Sequence, residues 1–381
     1  RKGGRQLPWS SADRDLVAGG ITNPDGSASF AVINWGAAKD EYRKALLENL
    51  QKDVSLMATW AMCDDCTLPN GLTFHCADYT QTPVGPGHYL ETEAKWSKEL
   101  GLRFYSQTCT GGITWDFGSV PYMPVPQHWK LRWDRMVAAH DEWGLVGLME
   151  SHHYGWHPSF VAELAKEAFT EGGIPFEEHL AKIAARDFGT DNVERVLAVW
   201  KTWSADIADY SPSDMNQYGT FRIGPAYPFT FGGPVVKNDE FPGQKHASNW
   251  PAGICRMDYL REGYVPQLTP ERMDNEFLLK EIELLEPMAE HYAEGERIFR
   301  TIAAMGAPRH RAAAERAADF AAYLAAVTRT GVNVKRGAVA FRNGDKAALA
   351  AAAKAEYANA TAALPLVERD SRLGWEPSME Y

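Results

Sequence analysis

The sequence predicts an α/β chain: part of a (β/α)8 barrel, read as its carboxyl-terminal portion, followed by a mainly α-helical domain. Two observations predict this. Up to residue 157, strand-like and helical runs alternate, which favours parallel strands joined by crossover helices. Each strand-like run also ends on polar or aromatic residues, namely Asn34 and Trp35, Asp64 and Asp65, Gln107, and Glu150. Long loops follow these ends, the asymmetry of a barrel's active face. Three segments are expected: 1–157 as the barrel portion, 158–266 as helices and aromatic Pro/Gly-rich loops packed on it, and 267–381 as the helical domain.

Residues 1–40 are rich in Gly, Pro, Ser and Asp, and Ser29–Trp35 is the one strand-like run there. Asp40–Leu50 is expected to be helical, because Tyr42, Leu46, Leu47 and Leu50 recur at helical spacing. Val54–Met62 is the second strand, and a Pro/Gly-punctuated loop with His75, Asp78 and Tyr79 follows. Gly87–Leu100 reads as a helix stopped by Gly101. Leu102–Thr108 is the third strand. It runs into a Gly-rich loop with Trp115 and Asp116. Pro126–Trp143 is a helix, and the apolar run Leu145–Glu150 is the fourth strand, buried on both faces.

Past Pro158, helices are expected at Phe160–Phe169, Phe176–Ala185 and Asn192–Tyr210. Residues 211–266 have no clear period but many aromatics, which argues against disorder. Glu271–Met305 is expected as a long helix interrupted near Pro287, and Arg309–Thr328 with Asp345–Leu364 as an Ala-rich hairpin. A full barrel takes about 250 residues and eight strands, whereas four strands are read here. The expectation is that the other half precedes Arg1 in a longer polypeptide; the alternatives are that it comes from another chain or that the chain has a different α/β fold.

Composition narrows the function classes. The 381 residues are 45% hydrophobic, enough for a large core. A net charge of −11 argues against nucleic acid or an anionic membrane surface as the main partner. No apolar run approaches the roughly 18–20 residues that span a bilayer. The first residue is Arg1 rather than Met, so the lack of a visible leader says nothing about compartment; the lean is towards export. Thirteen Trp and fifteen Tyr supply flat faces that can stack on sugar rings. No G-x-G-x-x-G, P-loop or G-x-S-x-G stands in the sequence, so nucleotide binding and a serine triad are unsupported.

The chemistry-bearing residues cluster at the strand ends. Glycoside hydrolysis usually needs two carboxylates, one of which holds its proton through burial near aromatics. Glu150 fits this role: His152, His153, Tyr154 and Trp156 follow it. Asp64 and Asp65 are the candidate partners, and their side chains point to opposite faces if they lie in a strand. The structural alternative for each is a cap on the following turn. Trp60, Trp115, Tyr154 and Trp156 would form the sugar platform. Tyr79, Gln107, Asp116, His152 and His153 would add polar contacts, with Tyr218 and Arg222 from the aromatic segment. Cys63, Cys66, Cys76 and His75 resemble a zinc set in type but not in spacing, so a disulfide among the three Cys or buried thiols is favoured. No metal and no cofactor are expected.

The groups Trp60 with Asp64-Asp65, Trp115-Asp116, and Met149-Glu150-Ser-His-His-Tyr-Gly, followed by helices, resemble the back half of a large (β/α)8 glycoside hydrolase. Retaining hexosaminidases and α-glucuronidases are the nearest types, and the resemblance spans about residues 30–210. It implies a carbohydrate substrate. It also leaves two mechanisms open: a neighbouring-group route through Asp64 and Asp65, or one through Glu150 with either Asp. Two other readings stand beside it: a non-catalytic carbohydrate-binding or scaffold protein, and a metal-dependent hydrolase using His152 and His153.

Overall fold

The computed structural model describes residues 16–22, 28–34, 39–50, 54–61, 64–76, 80–112, 117–149, 157–212, 216, 220–221, 224–225 and 274–374. Its centre is an open five-stranded sheet of β1 (Leu16–Thr22), β2 (Ala28–Asn34), β3 (Val54–Thr59), β6 (Arg103–Gln107) and β7 (Leu145–Met149) in that spatial order. β2, β3, β6 and β7 run parallel, and β1 pairs antiparallel with β2. Each of the four expected strands is present: β2 is offset by one residue from the run read, and β3, β6 and β7 are one to three residues shorter. β1 was not expected, since Gly19-Gly20 interrupts its apolar pattern. A separate hairpin, β4 (Asp64–Thr67) and β5 (Thr73–Cys76), replaces part of the loop expected after β3. The described strands form an open sheet, not a closed barrel.

Helices join consecutive parallel strands. α1 (Asp40–Glu48) lies between β2 and β3, α2 (His88–Leu100) precedes β6, and α3 (Pro126–Trp143) precedes β7. Left-handed Gly101 and Gly144 close α2 and α3 (φ 67° and 78°), a conformation costly for any residue with a Cβ. Leu56, Phe104, Leu90, Trp129 and Trp133 fill the sheet–helix core.

The second half is helical: α4 (Phe160–Ala168), α5 (Phe176–Phe188), α6 (Val193–Ala208), α7 (Asn275–Met305), α8 (Pro308–Arg342) and α9 (Lys346–Arg369). Ser159, Asp274 and Asp345 cap α4, α7 and α9 by accepting from the N–H three residues on. Two expectations need correction. α7 is continuous through Pro287, because buried Leu285, Met288 and Ala289 flank the point where proline removes one hydrogen bond. α8 extends well past Thr328. Thr328, Thr330, Gly331 and Val332 are poor helix formers, but burial against neighbouring helices holds them in the helix.

One contiguous core crosses the expected segment boundaries. It runs from Leu47 and Leu56 through Trp129, Trp200 and Trp203 to Tyr292, Leu324 and Leu373. No helix among the described residues is long and apolar enough to cross a membrane.

Candidate functional site

Register aligns the carboxyl ends of the parallel strands. Asn34 pairs with Ala58, Thr59 with Gln107, and Gln107 with Met149. The ladder continues one residue further, as Trp60 N–H donates to Gln107 (3.0 Å) and Thr108 N–H to Met149 (2.9 Å). The chain therefore leaves β3, β6 and β7 along one edge. Thr59, Gln107, Thr108 and Thr110 are buried there.

Trp60 corrects an expectation. It is 1% exposed, its Nε1–H donates to the Val84 carbonyl (2.9 Å), and left-handed Gly85 lies against its ring so closely that a Cβ would overlap it. The indole thus braces the following loop from inside and offers no ring face to a sugar. That loop, 80–87, is also held by α3. His128 Nε2 donates to the Gln81 carbonyl (2.6 Å), and Arg132 donates to the carbonyls of Gln81 and Pro83 and to Thr108 Oγ1 (3.2 Å). Burial pushes the His128 pKa down to about 4, so the imidazole is neutral and its Nε2–H serves as donor.

Asp64 and Asp65 are also placed differently. β3 ends at Thr59, and the pair opens β4, where Asp64 stands opposite Cys76 and Asp65 opposite His75. Asp65 is exposed. The Pro69-Asn70-Gly71 turn closes the hairpin, with Asn70 Oδ1 accepting from Leu72 N–H (3.0 Å). Leu68, Leu72 and Phe74 pack on Phe277 and Leu278 of α7 and Val334 and Ala338 of α8. Asn70 Nδ2 also donates to the Lys280 carbonyl (3.0 Å). Both aspartates thus stand on a hairpin separate from the five-stranded sheet, and the hairpin's apolar face is covered by α7 and α8.

The loops after β6 and β7 meet. Ser159 Oγ donates to the Gly111 carbonyl (3.4 Å), and Met123 N–H donates to Gly112 (2.6 Å). Left-handed Gly112 (φ 96°) sits against Tyr122 and Val161. The Tyr122 ring stacks on His157, with centroids 6.0 Å apart and planes 21° apart. Burial raises the Tyr122 pKa to about 12 and, together with nearby Arg372, lowers that of His157.

Glu150, Tyr79, Trp115, Asp116, His152, His153, Tyr154, Trp156, Tyr218 and Arg222 lie outside the described residues. The residues flanking Tyr218 and Arg222 are held firmly. Lys335 Nζ donates to Asn216 Oδ1 (2.6 Å), Asn216 Nδ2 to Glu281 (3.2 Å), and Ser119 Oγ to the Phe221 carbonyl (2.9 Å). Asn216 is thus tied to the α7–α8 pair and Phe221 to the loop after β6. Lys335 and Glu281 carried no sequence signal, each standing among other charged residues of a long helix. His128 and Arg132 did: two polar residues one turn apart on an apolar helix face.

Among the described residues no group of three or more His, Cys, Asp or Glu is placed to hold a metal ion. Cys63 and Cys255 lie outside them, and Cys109 is a buried thiol. Compared with protein-family models, curated proteins and solved structures, the chain matched none.

Proposed function

We propose that β2, β3, β6 and β7 are a section of a (β/α)8 wall and that the chain is a glycoside hydrolase. Glu150 acts as acid/base or nucleophile, with Asp64 or Asp65 as its partner. The observation that carries this reading is the register of Thr59, Gln107 and Met149. It sends the chain out of three parallel strands along one edge, the side on which barrel enzymes keep their chemistry. The meeting of the loops after β6 and β7 at Gly111 and Ser159 supports the same reading. Trp115, Tyr154 and Trp156 remain the sugar platform, without Trp60. Tyr79, Asp116, His152, His153, Tyr218 and Arg222 make the polar contacts, without Gln107, which is 1% exposed.

The test is turnover of a panel of aryl glycosides by the wild type and by Glu150→Gln, Asp64→Asn and Asp65→Asn. Loss of a positioned acid or base lowers the rate by about 10²–10⁴-fold. That loss is expected for Glu150→Gln and for one Asp variant, with glycan binding retained. Full activity in Glu150→Gln would overturn the assignment. A wild type that binds glycans without turnover would make the chain a carbohydrate-binding protein instead. Loss of activity on chelation, restored by metal, would favour a metal centre at His152 and His153.

A further inference from the structure

Past Arg369, the last residue of α9, the chain turns back on itself. Leu373 N–H donates to the Asp370 carbonyl (3.0 Å), and the Asp370 carboxylate accepts from Arg372 N–H (3.1 Å) and Arg372 Nε (2.8 Å). Leu373 is 2% exposed and joins the main core. Gly374 N–H then donates to the Ser119 carbonyl (2.9 Å), in the loop after β6. Gly374 is left-handed (φ 77°), and a Cβ there would overlap Val367 Cγ1 and lie 3.4 Å from Tyr323 Oη. Only glycine makes this approach without strain.

The turn arrives where the loops after β6 and β7 meet. Ser119 is held from two sides, since its Oγ donates to the Phe221 carbonyl (2.9 Å) while its own carbonyl accepts from Gly374. Three residues on, Tyr122 stacks on His157, which follows the 150–156 stretch. The Tyr122 ring also meets Phe160 edge-on and Phe320 of α8, with centroids 5.8 and 5.1 Å away. The Arg372 cation acts on both stacked rings. Together with burial it holds the His157 pKa below its ordinary value, against the opposite effect of Asp370.

α9 has its own anchors on α8: Asn359 Nδ2 donates to the Ala326 carbonyl (2.9 Å), and Arg369 pairs with Asp319 (3.0 Å). The contact at Ser119 instead ties the end of the helical layer to the strand-end loops. We propose that the 370–374 turn is a positioning element of the strand-end site. Gly374 fixes the loop after β6, and Arg372 fixes the Tyr122–His157 stack that joins this loop to the one after β7. The role in turnover rests on the strand ends being the site, as proposed above; the fixing of the two loops does not.

The test uses the full chain carrying Gly374→Ala, Arg372→Met or Arg372→Lys; the Arg372 side chain is half exposed, so its variants keep the fold. Amide hydrogen exchange, histidine NMR titration, thermal melting and turnover of the aryl glycoside found for the wild type are the readouts. Gly374→Ala is expected to speed exchange at Val120 and Met123. Arg372→Met should raise the His157 pKa, because a neighbouring cation disfavours the imidazolium, and Arg372→Lys should leave it low. Gly374→Ala and Arg372→Met should each lower kcat about tenfold or more with KM little changed. An unmoved His157 titration in Arg372→Met, or unchanged exchange in Gly374→Ala, would overturn the proposal. So would a lowered Tm with kcat intact, the mark of a purely structural anchor. If the wild type turns over no glycoside, the site assignment fails by itself, and exchange and titration still decide whether the turn fixes the two loops.

Discussion

His128 and Arg132 show how much of the strand-end architecture rests on two side chains. Both are 2% exposed, and both donate from α3 into the backbone of loop 80–87. The histidine also makes stability depend on pH. Burial lowers its folded-state pKa to about 4, against an ordinary value of 6.5. Between those values the unfolded chain binds a proton that the folded chain does not, so stability falls as pH drops from 6.5 towards 4. The loss is roughly 3 kcal/mol for a shift of this size. Urea unfolding of the wild type at pH 7 and pH 4.5 should show this slope, and His128→Gln should flatten it. An unchanged slope in His128→Gln would assign the dependence to other groups. Trp60 teaches a different lesson at this scale. A Trp at a strand end reads as a ligand platform, yet the partners that bury it, Val84 and Gly85, lie more than twenty residues away.

At the scale of elements, helix and strand positions followed local patterns, and the exceptions have physical causes. α8 outran its propensity because its Thr and Gly residues are buried among helices. β4 and β5 are short and polar, so only their packing on α7 and α8 distinguishes them from a loop. Gly295 illustrates the competition between local and tertiary terms. In a helix Ala is favoured over Gly by about 1 kcal/mol. However, a Cβ at Gly295 would overlap the Trp203 ring and lie 3.2 Å from Val199 Cγ1. Trp203 is 2% exposed and donates to the His291 carbonyl (3.1 Å), so it cannot give way. Overpacking costs about 1–3 kcal/mol, so the clash outweighs the propensity. Gly295→Ala should lower Tm in a thermal melt, and a raised Tm would show that α6 and α7 adjust freely.

Over the whole molecule, one core joins the sheet to the helical layers. Leu56 and Phe104 of the sheet belong to the same cluster as Tyr292 of α7, Leu324 of α8 and Leu373. The cluster draws residues from each of the three segments expected from sequence. Far-UV circular dichroism, dominated by the helices, and Trp fluorescence should report a single coincident unfolding transition. Two resolved transitions in calorimetry would show that the helical layers unfold apart from the sheet.

The sequence by itself determined the local order of this chain. It located the four parallel strands, most helix limits, and the glycine stop at Gly101, because these depend on residues a few positions apart. It also brought out the strand ends as the place where polar and aromatic residues collect. Tertiary structure decided the rest. It buried Trp60, moved Asp64 and Asp65 from a strand end to a separate hairpin, lengthened α8, and linked Lys335 to Asn216 across 119 residues. Burial and pairing are set by which distant surfaces meet, and no local period encodes that.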